Sequence, residues 1–230
     1  MLKALVLSSG GVDSTTCLAF AVDKLGAENV SSVSIFYGQK HKKELQCAAQ
    51  LADYYKVKHY ELDLSMMFKN SNCALLENSS QDIEEGSYST QIAVHGKVNT
   101  YVPFRNGLFL ASVASLAGSI YPDDEVEIYL GAHADDAALN AYADCSMEFI
   151  EAMNKAISLG TYSKERIVAP FAGQNKAEVV KTGLKLKVPY EMTWSCYEGK
   201  DKPCGKCATC IDRRKAFEAN GAVDPVEYKE

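Results

Sequence analysis

The stretch MLKALVLSSGGVDSTTCLAF, residues 1 to 20, decides the architecture. Leu2 to Leu7 is an unbroken apolar run of strand length, and Cys17, Leu18, Phe20, Ala21 and Leu25 then recur at helical spacing. Between them lies SSGGVDSTT, Ser8 to Thr16, with two glycines, one aspartate and five hydroxyl residues. A strand, a glycine-rich turn and a helix in that order aim the helix N-terminus at whatever the turn holds. Gly10 and Gly11 let the backbone approach a ligand, hydroxyls from Ser9, Ser14 and Thr15 add donors, and the helix start favours negative charge. Ser9, Gly10, Gly11, Val12, Asp13, Ser14 and Thr15 are therefore the candidate cradle for a phosphate-bearing anion. A plain helix cap is the simpler reading of any Ser/Gly-rich turn, but the place in the chain and the composition together favour the cradle. The turn lacks the G-x-x-x-x-G-K-[ST] pattern, so no lysine is placed to assist transfer of a γ-phosphate. Asp13 instead puts a carboxylate into an anion site, which suits a Mg²⁺ ion shared with the phosphates.

Outward from this turn the same alternation repeats. Val30 to Gly38 reads as a strand and His41 to Lys56 as a helix with Leu45, Ala48, Ala49, Ala52 and Tyr55 on one face; Val57 to Leu64 is a further strand. After an interruption come a helix in Arg105 to Ser119, a strand in Glu125 to Gly131, a helix near Met147 to Leu159 and a strand in Arg166 to Phe171. Strands alternating with helices imply crossover connections. The expected fold is α/β, a doubly wound parallel sheet with helices on both faces and its ligand crevice at the carboxyl ends of the strands. The interruption, Ser65 to Thr100, is rich in Ser, Asn and Gln without a long periodic pattern; a lid over the site and a mobile surface excursion are equally good readings. The expected division is a catalytic domain over 1–190, with an insertion at about 65–100, and a small subdomain over 191–230.

Charge and composition narrow the setting. Twenty-four Lys and Arg against 30 Asp and Glu give a net charge of −6, which offers no general attraction to nucleic acid. No apolar run approaches the roughly 18 to 20 residues that cross a bilayer, and Leu2 to Leu7 is too short for a signal-peptide core, so a cytoplasmic protein is expected. In a reducing compartment the eight cysteines are metal ligands or free thiols before they are disulfides.

Their spacing favours a metal. In TWSCYEGKDKPCGKCATCIDRR, Cys196, Cys204, Cys207 and Cys210 follow C-x7-C-x2-C-x2-C, the pattern of a closed four-thiolate zinc site. An iron–sulfur cluster or uncoordinated thiols are the alternatives. Lys200, Lys202, Lys206, Arg213, Arg214 and Lys215 nearby read as a solvated face, since no aromatic residues interleave with them.

SGGVDS, Ser9 to Ser14, resembles the pyrophosphate-binding PP-loop of the ATP pyrophosphatases, the adenylating enzymes related to NAD and GMP synthetases. YGQKH (37–41), NTYVPFRN (99–106), YADC (142–145), NKAEVV (175–180), TWSCYE and PCGKCATC together resemble the 7-cyano-7-deazaguanine synthase family in order and spacing, over nearly the full chain. Ala143 and His133 depart from the family pattern, which has Pro and commonly Asn there. The resemblance implies a homodimer with one structural zinc per subunit. It implies ATP-dependent conversion of 7-carboxy-7-deazaguanine and ammonia to the nitrile, in queuosine or archaeosine biosynthesis, through an adenylated carboxylate and an adenylated amide.

On that reading Asp13, Arg105 and Lys176 are the candidate catalytic residues, holding Mg²⁺, phosphate or developing negative charge. Tyr37, Phe104 and Tyr142 are candidates to stack on a purine-like ring, and Asp144 to accept its N–H groups, with core packing and helix capping as their plainer roles. His41 and His133 fall at strand ends near the crevice, whereas His59 lies within a strand and reads as structural. The chain has no room for a glutamine-hydrolysing domain, so free ammonium is the expected nitrogen source. No membrane or direct nucleic-acid partner is expected. Two other functions fit the motifs: a PP-loop tRNA thiolase, and a non-catalytic zinc module that binds nucleotide.

Overall fold

In the computed structural model, which describes residues 1–95, 98–137 and 141–229, Leu2–Leu7 (β1) is the middle strand of a five-stranded sheet. Its position follows from its composition: Ala4, Leu5, Val6 and Leu7, buried on both faces, are all apolar, and Lys3 falls near the strand's start, where its ammonium reaches Asn29. Leu5 and Leu7 feed one core, Ala4 and Val6 the other. The remaining strands are Val30–Phe36 (β2), Lys58–Asp63 (β3), Glu125–Tyr129 (β4) and Glu165–Val168 (β5). All pairs are parallel, in the order β3-β2-β1-β4-β5, with Ala4 opposite Val30 on one side and Leu5 opposite Ile128 on the other. The order reverses between β1 and β4, which makes the carboxyl end of β1 the switch point where ligands bind in such sheets.

Helices cover both faces. Val12–Leu25 (α1) and Lys43–Tyr55 (α2) lie on the side of Val6, where Cys17, Leu18 and Ala52 are buried. Within the interruption the structure forms a single turn, Ser65–Phe68 (α3), and Tyr88–His95 (α4). Arg105–Ile120 (α5) packs on the opposite face through Leu110, Val113 and Ala117. Ala134–Ala137 (α6) is one turn; Met147–Gly160 (α7) joins α5 through Ile150 and Ile157. Lys176–Lys185 (α8) buries Val179 beside α1, and Ala208–Glu218 (α9) packs Ala216 and Phe217 against Val12 and Val180. Among the described residues no helix is long and apolar enough to cross a membrane.

The expected doubly wound parallel sheet is the one observed. Several strand ends move: Val30–Gly38 stops at Phe36, Val57–Leu64 becomes Lys58–Asp63, Glu125–Gly131 stops at Tyr129, and Arg166–Phe171 becomes Glu165–Val168. Phe171 leaves the sheet to fill the core beneath α1, in an edge-to-face contact with Phe20 at 6.0 Å. Arg213 is a correction to the solvated basic face. It is 2% exposed, bonds Asp224 through Nε at 2.8 Å and Nη2 at 2.9 Å, and donates to Thr193 and to the Tyr190 carbonyl. Asp224 lies eleven residues further on, so spacing near the cysteines gave no sign of the pair.

The interruption folds back on the sheet. Cys73, Leu75 and Leu76 are buried with Tyr37 and Phe68, and Leu76 forms a bridge with Gln39. Further on, Glu85 bridges Cys207 and the Gly86 amide donates to the Lys206 carbonyl at 3.1 Å, so the segment before α4 is tied to the cysteine loop.

Candidate active site

The turn after β1 is shaped by close approach. Gly10 has φ +78°, and a Cβ there would collide with the Glu44 carbonyl and lie 2.8 Å from the Ala48 amide nitrogen on α2. Only glycine fits, on both counts. The Gly10 carbonyl accepts from the Trp194 amide at 2.9 Å, which fixes the turn to the segment leading into the cysteines. Gly11 is the N-cap of α1, and no side chain caps that helix. Its first-turn amides thus remain available to an anion, where the helix dipole is most favourable.

Ser9, Gly11, Val12, Asp13 and Ser14 line the cleft above the carboxyl ends of β1 and β2. Ser9 and Ser14 hydroxyls sit 3.0 Å apart, and the Ser9 amide donates to Ser14 Oγ. Thr15 is placed otherwise: it is fully buried and its hydroxyl donates to the Gly11 carbonyl at 2.7 Å, bracing the turn from below.

Asp13 is the electrostatic centre. Lys176 Nζ donates to its Oδ2 at 2.9 Å and His133 Nε2 lies 3.6 Å from the same oxygen. Burial raises the Asp13 pKa, but the attraction of Lys176 and then His133 outweighs it and holds the carboxyl well below the usual range. Burial likewise disfavours the charged forms of Lys176 and His133, yet Asp13 and Asp136 carry both upward. Asp13 Oδ1 is buried without a hydrogen-bond partner among the described residues. A buried carboxylate oxygen without a partner beside an uncapped helix start is the donor a hard cation takes, so the residues fit Mg²⁺.

Lys176 reaches this point because α8 starts under tight control. Asn175 accepts from the Glu178 amide, Glu178 accepts from the Asn175 amide, and Asp135 Oδ2 accepts from the Lys176 amide at 2.8 Å.

Arg105, the first residue of α5, lines the cleft's far wall and lies 5.5 Å from the Tyr37 ring and 5.8 Å from that of Phe109. Tyr37 and Tyr142 also reach the cleft. Phe104 and Asp144 do not line it. Phe104 has φ +52°, is 55% exposed, and lays its ring over Gly107 and against Phe149 at 5.7 Å. Asp144 is buried, its Oδ2 accepting the Asn106 amide at 2.9 Å, so it braces the start of α5 and thereby Arg105.

Several cleft residues escaped the sequence reading. Tyr88 of α4 and Tyr197 of the cysteine segment join hydroxyls at 2.6 Å, with the Tyr142 ring 5.6 Å from that of Tyr88 and its hydroxyl bonded to Thr100. Three phenols from three distant segments thus form one wall. Glu44 lines the same cleft; burial pushes its pKa up to about 7 despite the pull of Arg105. The one available signal was KHKKEL, in which Glu44 opens a helix near the crevice.

Beside the cleft, Cys196, Cys204, Cys207 and Cys210 are buried, unpaired, and hold their sulfurs within 4.8 Å of one another. A tetrahedral zinc with Zn–S bonds of about 2.3 Å sets its sulfurs about 3.8 Å apart; Cys204 and Cys210 Sγ are at 4.0 Å. Backbone amides of Cys207 and Lys206 point at Cys204 Sγ, and that of Cys204 at Cys196 Sγ, all within 3.4 Å. Four thiols, no neutral ligand and amides aimed at sulfur fit a closed thiolate site for a metal ion.

The reversal of strand order, the glycine-bent turn and its uncapped helix place the protein in the PP-loop class of α/β enzymes. The profile of the family described as "Queuosine biosynthesis protein QueC" matches residues 3–221. The chain is 43% identical over 233 residues to the 7-cyano-7-deazaguanine synthase of Thermoplasma acidophilum, covering 99% of this chain and 92% of that one. It is 38% identical over 226 residues to the synthase of that name from Archaeoglobus fulgidus, covering 98% and 90%. Against that from Caldicellulosiruptor saccharolyticus the identity is 40% over 228 residues, covering 99% and 96%. The chain belongs to the QueC family. Among solved structures, NMN synthetase from Francisella tularensis shares the fold, with a TM-score of 0.52 and 13% identity over 96% of this chain and 77% of that one.

Proposed function

We propose that the protein converts 7-carboxy-7-deazaguanine and ammonia to 7-cyano-7-deazaguanine at the expense of two ATP. One observation carries the reading: the family match over residues 3–221 runs through the cleft and the cysteine cluster alike. The substrate carboxylate is unreactive because hydroxide is a poor leaving group. Its oxygen attacks the α-phosphorus of ATP and pyrophosphate departs. Ammonia then adds to the acyl carbon, AMP leaves, and the nitrogen loses a proton. The amide oxygen attacks a second ATP in the same way, and loss of the remaining N–H protons with the second AMP leaves the nitrile.

Backbone amides at the start of α1, with the Ser9 and Ser14 hydroxyls, hold the β and γ phosphates and leave the α-phosphorus open to attack. Asp13 holds Mg²⁺, which would supply charge neutralisation at the departing pyrophosphate. Lys176 and Arg105 stabilise negative charge around the α-phosphate. Tyr37 and Tyr142 face the deazaguanine ring. Glu44 takes the proton from the attacking nitrogen, a task that suits a carboxylate raised toward neutrality. Residues 191–230 form a zinc-binding subdomain whose metal is structural, and the catalytic domain spans 1–190. The protein acts in the cytoplasm as a homodimer, uses free ammonium, and binds no nucleic acid directly.

The test is incubation of the purified protein with Mg-ATP, ammonium and 7-carboxy-7-deazaguanine, with mass detection of product and chromatography of nucleotides. Nitrile with two AMP per product is expected, the primary amide appearing first and being consumed. Stoichiometric ADP, or an amide that persists, would overturn the adenylation route.

A further inference from the structure

Helix α5 carries a contradiction between its sequence and its exposure. After Arg105 its sequence, NGLFLASVASLAGSI, has no charged residue. Yet Ala111, Ser115, Gly118 and Ser119 are exposed, and α7 adds exposed Ala152, Ala156 and Gly160 beside them. A helix face meant for water carries charge; a face of small uncharged residues suits close approach of another backbone.

Between the two helices runs a groove walled by Ala111, Ala114, Ser115 and Gly118 of α5 and by Ala156 and Gly160 of α7. Glu165, the first residue of β5, lies at its floor. It is 4% exposed, and its Oε2 is buried without a hydrogen-bond partner among the described residues. Gly118 keeps the approach open, since a Cβ there would lie 3.2 Å from Glu165 Oε1. The nearby Lys164 ammonium is engaged by the Pro122 carbonyl at 2.7 Å. The groove therefore ends on a carboxylate whose Oε1 lies beside Gly118, and it suits a side chain tipped with a donor.

Such a side chain stands on the same face. Tyr162 is 93% exposed at the groove's rim, next to Leu159 at 73%. Tyr162 and Ser163 both have positive φ, 55° and 62°, and the turn is closed by bonds from the Thr161 amide to Ile157 and from the Ser163 amide to Ser158. The phenol is thus held out by a defined turn. Peg and hole on one surface are what a twofold interface requires, because each copy then offers both.

We propose that the α5–α7 face is the docking surface for a second copy of the chain, the partner's Tyr162 entering the groove and donating its hydroxyl to Glu165. Across the twofold axis the contact occurs twice, and the small residues of α5 let the paired helices approach closely. The inference rests on the homodimer proposed above and specifies its surface.

Sedimentation of the full metal-loaded chain over a range of concentrations tests it. The wild type is expected to sediment as a dimer, and Ser115→Arg, a change at an exposed helix position, as a monomer with an unaltered circular-dichroism spectrum. Tyr162→Phe removes one hydroxyl from an exposed ring and leaves folding untouched; it should raise the dimer Kd about tenfold or more, since two charge-assisted bonds are lost. In a Glu165→Ala background the same change should have no further effect. A monomeric wild type overturns the pairing itself. A dimer indifferent to Ser115→Arg overturns only the surface, and a dimer as tight with Tyr162→Phe as without it overturns the tyrosine–glutamate contact.

Discussion

The turn after β1 and the cysteine loop before α9 form adjoining parts of one cleft, yet they owe their shapes to different causes. In the first, backbone does the holding: Gly10 presses on α2, its carbonyl takes the Trp194 amide, and Thr15 braces Gly11 from below. In the second, side chains do the holding: the sulfurs of Cys196, Cys204, Cys207 and Cys210 lie within 4.8 Å of one another. One region is braced by backbone contacts; the other gathers four thiols that could hold a metal ion. The cleft needs both, because Trp194, Ser195 and Tyr197 of the cysteine segment line it together with Ser9 and Asp13.

Removing the metal should break this pairing most severely. A structural four-thiolate site contributes folding energy outright, several kcal/mol or more. Chelation, or Cys204→Ala, is expected to abolish bound zinc and lower Tm by 10 °C or more, taking turnover with it because the loop carries one wall of the cleft. Stoichiometric zinc by atomic absorption in Cys204→Ala would count against the site. The cradle offers the opposite result. Asp13→Asn keeps the shape and removes the charge, so turnover is expected to fall about 10²–10³-fold with zinc content unchanged, while Tm drops by less than metal removal costs, because Lys176 and His133 lose the charge that holds them. A variant with near-normal activity and ordinary Mg²⁺ dependence would remove Asp13 from the chemistry.

Gly10→Ala sharpens the contrast from the cradle's side. The added methyl meets backbone of α2 rather than a flexible side chain, and the positive φ disfavours it as well. Together these should cost on the order of 2–4 kcal/mol and loosen nucleotide binding, while the cysteine cluster keeps its metal. Thermal denaturation and ATP titration read the two effects separately. Tm and ATP affinity equal to the wild type would show that the turn is held by something else.

The sequence made these two regions legible for the same reason: each is a local motif in which spacing alone fixes geometry. The parallel sheet was readable too, since β1 is apolar apart from Lys3 and strands alternate with helices along the chain. α9 was not, because its residues ATCIDRRKAFE bury Arg213 along with Ala216 and Phe217 and show no clean apolar stripe. Phe104 failed as a ring contact for a local reason: a left-handed backbone turns it outward over Gly107. The phenol wall of Tyr88, Tyr142 and Tyr197 was hidden for a non-local one. Its members are up to 109 residues apart and meet only because the interruption is tied to the cysteine loop at Glu85 and Gly86.

The smallest expected effect concerns Glu44, which joins the two regions through its carbonyl's contact with Gly10 and its carboxyl in the cleft. Burial raises that carboxyl from an ordinary 4.5 to about 7. Below about pH 4.5 the group is protonated whether the chain is folded or not, so it costs nothing. Between there and about pH 7 the folded state keeps a proton that the unfolded chain has released, and stability falls as pH rises; above pH 7 the full penalty is present. Glu44→Gln is neutral throughout and lacks this slope. Glu44 is only partly buried, so water screens much of the penalty; the variant's Tm should match the wild type near pH 4.5 and exceed it by about 2–4 °C at pH 8, the shift that about 1 kcal/mol produces in a chain of this size. Turnover should move the other way, falling most above about pH 7, where the wild-type carboxylate is ionised, with the deficit narrowing as pH falls, because only the ionised group can take a proton from the attacking nitrogen. A Tm difference that stays flat from pH 4.5 to 8 would show that water reaches the carboxyl freely, and Glu44 would then lose its claim to the proton as well.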